Sequence, residues 1–236
     1  MKKASPLDVR TAMRFLRGLR DHNSRDWFTA NRAVYDETVK PQWEDFVAVL
    51  LIAASTYEPR FAYVDPRACI FRIYRDIRFS NDKTPYKSHL SAFLSPRGWR
   101  GSTPGFYVSL EPGGESVISA GVYIPEKPAL TAIRRRIAEG DRDFERILRG
   151  KRLQRYLPVS TDSLKRMPLG FDREHPRSEL IRARRYMVRR PFTDTELTRG
   201  NAFTLFRDAM RDTAPFVAWL DQFVTRAAPG DEWEDD

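Results

Sequence analysis

Between Phe71 and His89 the chain reads Phe-Arg-Ile-Tyr-Arg-Asp-Ile-Arg-Phe-Ser-Asn-Asp-Lys-Thr-Pro-Tyr-Lys-Ser-His, gathering three arginines, two lysines, two aspartates and two tyrosines into one short piece. Those residue types suit the capture of an anion. Arginine offers a planar fork that binds phosphate or carboxylate through two hydrogen bonds, and lysine adds a point charge. Arg72, Arg78, Lys83 and Lys87 converge if the loop folds back beside the residues before it. Tyr74, Ser80 and Tyr86 then orient a ligand, and Asp76 either holds the arginines or acts as a base. Asn31 and His89 are further candidates for the same pocket. The competing reading is a structural or interaction protein in which this stretch is a salt-bridge lattice that pins the loop to the sheet. The residues alone leave both open.

The start of this stretch alternates as a strand does. Cys69, Phe71, Ile73, Ile77 and Phe79 share one face, and Arg72, Tyr74, Asp76, Arg78 and Ser80 share the other. A strand is therefore expected at about Ala68–Arg75, with its polar face and the following loop lining a cleft shared by Arg72, Asp76, Arg78 and Lys83. Arg75 falls on the apolar side, where a guanidinium is costly unless paired. Asp76 points the other way in a regular strand, so the partner of Arg75 is expected from elsewhere. Pro85 cannot continue a central strand.

The run from Arg72 to Lys87 resembles the signature of the DUF2461 family of uncharacterised proteins. Phe15-Leu-Arg-Gly-Leu, Arg25-Asp-Trp-Phe with Asn31-Arg32, Gly105-Phe-Tyr-Val, Ala120-Gly-Val-Tyr, and Leu164-Lys-Arg-Met-Pro-Leu-Gly-Phe with His175-Pro are similar to it as well. The resemblance runs from about Phe15 to about Leu220. It implies membership of that family and brings no reaction and no site residue with it.

The elements that must position these side chains can be read by period. Ser5 is placed to cap a first helix with Pro6 at its first turn, and Ala12, Phe15, Leu16 and Leu19 make its buried stripe. Ser24 can cap a second helix, in which Trp27, Phe28, Val34 and Tyr35 form the apolar face. Asn31 falls on that face and must find either backbone or the pocket. Pro41 separates this helix from one carrying Trp43, Phe46, Val47, Leu50 and Leu51. Apolar-rich strands come next at His89–Leu94, Phe106–Leu110 and Val117–Ile124, with Pro112-Gly113-Gly114 as a hairpin turn. Short turns between consecutive strands favour an antiparallel meander. Further helices are expected from Pro128 and at Asp143–Leu148, with a short one around Leu180 and Ile181. Tyr186–Arg190 reads as an edge strand stopped by Pro191. Thr193 and Glu196 have capping-box spacing before a last helix over Ala202–Val224. The expectation is an α+β fold: an antiparallel sheet of four or more strands, with N- and C-terminal helices packed on one face. Residues 6–226 are read as one domain between a flexible start at 1–5 and a disordered acidic tail at 227–236.

The 236 residues carry 41 Lys+Arg against 32 Asp+Glu, a net charge of +9. Between Thr131 and Arg190 there are 18 basic and 8 acidic residues, or 18 − 8 = +10, so the rest is near neutral. That segment supports the alternative of nucleic-acid or polyanion binding, with Arg134–Arg136, Lys151-Arg152, Arg184-Arg185 and Arg189-Arg190 on one face and Tyr156 and Tyr186 stacking bases. The single cysteine, Cys69, excludes an internal disulfide and reads as a buried thiol. No apolar run approaches the ~20 residues that span a bilayer, and the start lacks the apolar core of a signal peptide, so a soluble cytoplasmic protein is expected. His22, His89 and His175 have no paired ligand spacing, so no metal is expected, and no cofactor is indicated. Gly98–Gly105 lacks the ending of a phosphate loop. Ser80 and Lys83 match Ser-x-x-Lys without its companion motifs.

Overall fold

The computed structural model describes residues 6–98, 102–156, 158–159 and 162–224; the expected flexible start, Ser5 and the acidic tail at 227–236 lie outside them. Helix α1 (Val9–His22) is capped by Asp8, whose carboxylate accepts from the Arg10 and Thr11 N–H groups, so Pro6 precedes the helix and does not open it. Ser24 accepts from the Trp27 N–H and starts α2 (Arg25–Ala30). The helix expected to run on to Tyr35 breaks at Asn31. A short α3 (Arg32–Val34) and one π-helical turn (Tyr35–Val39) lead into α4 (Lys40–Ala54). Pro41 sits in the first turn of α4, where a missing N–H costs little.

Strands β1 (Leu90–Leu94), β2 (Gly105–Leu110), β3 (Ser116–Val122) and β4 (Tyr186–Phe192) form one antiparallel sheet in that order. Register places Leu90 opposite Leu110, Gly105 opposite Gly121, and Gly121 opposite Met187. Pro191 does not end β4 as expected. It pairs with Val117 inside the strand, because an edge strand needs no donor on its outer side.

The strand expected at Ala68–Arg75 does not form. Asp65 caps a helical turn, α5 (Pro66–Cys69), and only the isolated bridges Ile70–Ala92 and Tyr74–Tyr86 tie down the residues after that turn. The alternation is still real, since Ile73 is buried between exposed Arg72 and Tyr74. What is missing is a continuous ladder. The stretch bonds back on itself, Arg75 N to Pro85 O at 2.9 Å and Lys87 N to Ile73 O at 2.8 Å, and Pro85 has no N–H with which to extend the pairing. The result is a small looped excursion ahead of β1.

The remaining helices are α6 (Lys127–Ala138), α7 (Arg142–Arg149), α8 (Ser178–Arg182), α9 (Asp194–Arg199) and α10 (Ala202–Asp221). Thr193 and Glu196 make the capping box of α9. The N-terminal α4 and the C-terminal α10 pack together and onto the sheet, with Phe46 edge-on to Phe206 at 5.7 Å and Phe206 against Phe192 at 4.8 Å. Each such fully buried side chain contributes roughly 1.5–3 kcal/mol. The architecture is α+β, with an antiparallel four-stranded sheet. No helix among the described residues is long and apolar enough to cross a membrane.

Candidate functional site

The excursion meets the end of α1 at a cleft. Asn23, just past α1, clamps the backbone of Tyr86: its Nδ2 donates to Tyr86 O at 3.0 Å and its Oδ1 accepts from Tyr86 N at 3.1 Å. The Tyr86 ring stacks on Phe28 of α2, centroids 4.3 Å apart and 15° from parallel. With its return limb fixed from both sides, the excursion places Lys87, Ser88 and His89 along a cleft of about 670 Å³. Arg20 and Asn23 line it from α1, Glu111 from the end of β2, and Arg75, Asp76, Asp82 and Thr84 from the loop.

Most charges here satisfy one another. Arg75 reaches Asp82 and the Thr84 hydroxyl, so its carboxylate comes from across the loop. The Arg75 guanidinium, assisted by the Thr84 N–H and hydroxyl, draws the Asp82 carboxyl down to about 2. Arg78 grips Asp76 through two bonds, Nε to Oδ1 at 3.1 Å and Nη2 to Oδ2 at 2.8 Å. The Arg78 guanidinium and backbone N–H hold the Asp76 carboxyl down at about 2. A carboxylate held so low is a weak base, which argues against a proton-transfer role for Asp76. Lys83 donates to Ile77 O at 3.0 Å and closes the loop.

Lys87 differs. It is half-buried, has no carboxylate within 4 Å among the described residues, and rests over the Phe71 ring at 5.5 Å. Burial, then the nearby Arg72 charge, pushes its ammonium below the usual lysine range. Arg72 is exposed and likewise forms no ion pair within 4 Å among the described residues. His89 Nδ1 lies 3.6 Å from Glu111 Oε2, and the Ser88 hydroxyl donates to Glu111 Oε1 at 3.4 Å. Burial pushes His89 down, with Lys87 adding to it, and burial pushes Glu111 up. Each shift is caused first by burial, and at 3.6 Å the two groups are close without a hydrogen bond between them.

The structure brings Asp76, Tyr86, Lys87 and His89 to the cleft and leaves Arg72, Tyr74, Arg78, Ser80 and Lys83 off its lining. The expected sharing of one cleft by Arg72, Asp76, Arg78 and Lys83 is therefore not found; Arg78 and Lys83 are consumed within the loop. Tyr74 packs on Phe28 and Tyr86 at its half-exposed ring. Asn31 donates to Trp27 O at 2.8 Å and so serves its own helix end. Arg20, Asn23, Ser88 and Glu111 escape a reading of the sequence, because they lie far along the chain from the charged stretch or carry no pattern of their own. Cys69 is buried, and burial pushes its thiol up to about 11, which leaves it protonated and inert at neutral pH. No group of three or more metal-ligating side chains occurs among the described residues.

The expected nucleic-acid face does not assemble as read. Tyr156 and Tyr186 are buried and cannot stack bases. Arg134 is buried, Arg136 is paired with Asp141, and Arg184 and Arg185 share Asp162.

Fold and cleft define an α+β protein with a helical shell over a short antiparallel meander and a polar cleft at one end of the sheet. The chain belongs to the DUF2461 family: the family model, described as "Conserved hypothetical protein (DUF2461)", matches residues 11–219, nearly the whole length. No curated protein matches it, and no solved structure does.

Proposed function

We propose that the cleft beside Lys87 binds a small anionic molecule bearing a phosphate or carboxylate group. The observation that carries this is Lys87 on the cleft lining with Arg72 beside it, two neighbouring cations with no carboxylate within 4 Å among the described residues, one of them desolvated. Two like charges held together favour an incoming anion, and a desolvated ammonium gains more from one than a hydrated ammonium does. His89 and Glu111 line the same cleft and put two titratable groups within reach of a bound molecule, where Asp76 is held too low to serve as a base.

A second reading is favoured by the loop itself. Asp76–Arg78, Arg75–Asp82 and Lys83–Ile77 O are the bonds of a brace, and that part of the signature serves structure. Thermal shift with a panel of nucleotides, sugar phosphates and dicarboxylates separates the two. A ligand at a hundredfold excess over its Kd stabilises by about 2.7 kcal/mol. A hit that is lost in Arg72→Ala and Lys87→Gln, with unliganded melting near wild type, supports the cleft. No hit from the panel, with early melting of Arg72→Ala, makes the whole stretch a brace and ends the ligand proposal.

A further inference from the structure

We infer that a second pocket, away from the cleft, is built for the phosphate group of a small phosphorylated molecule. It lies where α8 meets the irregular segment before it. Lys165, Arg166, Met167, Arg173, Ser178 and Arg182 line a cavity of about 560 Å³. Four of the six are cations, and none is an acid.

The walls are fixed by backbone. Leu164 N donates to Arg182 O at 2.8 Å, and Ser163 bridges Ala183, which seats the segment's first limb on α8. The second limb is seated by His175. Its Nδ1 accepts from the Arg177 N–H at 2.9 Å and its Nε2 lies 3.1 Å from Ala138 O. A carbonyl only accepts, so the proton sits on Nε2 and the ring is a neutral strut between α6 and α8.

The distinguishing feature is that four cations line one cavity with no acid among them. Several arginines of the same part of the chain are neutralised: Arg177 by Glu145, Arg184 and Arg185 by Asp162, Arg136 by Asp141. Lys165, Arg166, Arg173 and Arg182 have no carboxylate within 4 Å among the described residues. Arg134, only 8% exposed, donates to Ala183 O at 2.9 Å while its Nε has no hydrogen-bond partner. A fifth positive charge is thus fixed at the backbone just after α8. Like charges gathered in one concavity raise the local concentration of a counter-anion, and arginine forks match phosphate oxygens in pairs. The Ser178 hydroxyl can donate a further bond, and Met167 gives the rest of the molecule an apolar wall. A terminal phosphate puts up to two charges on one group, which fits cations ringing one cavity. A nucleic-acid backbone needs a continuous track, and the paired arginines on either side interrupt it.

Calorimetric titration of the full chain with pyrophosphate and with glycerol 3-phosphate tests this, with a short single-stranded oligonucleotide at two salt concentrations as the competing source of phosphate. Lys165 and Arg173 are exposed, so Lys165→Gln and Arg173→Gln remove charge without opening the core. Each is expected to weaken binding about tenfold when introduced into a Lys87→Gln background, in which the cleft proposed above no longer competes for the phosphate. Arg173→Lys, which keeps the charge and loses the fork, is expected to lie between. Lack of saturable binding in that background overturns the site, as does binding there that is indifferent to both substitutions. Tighter, steeply salt-dependent binding of the oligonucleotide overturns it in favour of a nucleic-acid surface.

Discussion

His89 shows how environment decides protonation. A carboxylate oxygen 3.6 Å away favours the charged ring, yet burial and Lys87 outweigh it, because at that distance no hydrogen bond forms. The folded state therefore takes its proton at a lower pH than the unfolded chain, whose imidazole titrates near 6.5. The stability contributed by neutral His89 is fully present above that value and is lost as the pH falls below it. Glu111 has the opposite offset: its raised carboxyl favours folding at low pH, and that contribution fades as the pH rises past the ordinary 4.5 through the raised folded value. Melting temperatures of wild type and His89→Gln between pH 7.5 and 5 should therefore diverge, with the variant declining less. Parallel curves would show that His89 titrates as it does in the unfolded chain.

At the scale of elements, the two glycines of Gly105-Phe-Tyr-Val and Ala120-Gly-Val-Tyr face each other across β2 and β3. Gly121 sits at φ +133°, and a Cβ there would lie 1.9 Å from Tyr186 O of β4. No side chain fits between strands that close. Gly121→Ala is expected to destabilise by about 3–5 kcal/mol, read as a drop in urea midpoint; a loss below about 1 kcal/mol would mean that β4 can move away. Such local requirements are what a sequence displays well. Pro112-Gly113-Gly114, the Thr193–Glu196 box, Ser24 and the three meander strands depend on near neighbours and were legible. The Ala68–Arg75 strand was not, because alternation reports two faces and not whether a continuous partner strand exists. The cleft was half legible. Its charged stretch stands out in the sequence, but Asn23 meets Tyr86 across 63 residues and Glu111 comes from another strand, and nothing local announces either contact.

At the scale of the molecule, Asp221 joins distant parts of the chain. At the end of α10 it accepts from Arg97, past β1, at 2.8 Å and from Arg60, in the turn after α4, at 3.0 Å. Burial alone would raise its carboxyl; the bonds from Arg97 and Arg60 overcome this and hold it below the ordinary value of 3.8. Its stabilisation is present above that value and disappears as the pH drops through the lower folded one. Asp221→Asn should cost about 1–3 kcal/mol at pH 7 and soften acid unfolding below pH 4, both followed by circular dichroism. An unchanged acid transition would mean that other carboxylates govern it.

The sheet also has two ends, and each is closed differently. Outside β1 lies the start of the excursion, with Phe71 N bonded to Ser91 O at 3.0 Å and Ile70 bridged to Ala92. At β4, the other edge strand of the sheet, Pro191 has no N–H to offer. A strand from a second copy would find the first edge already occupied and the second short of a donor, so this sheet is poorly suited to grow by edge-to-edge addition. The turn of chain that shapes the cleft thereby also helps to keep separate copies from zipping together.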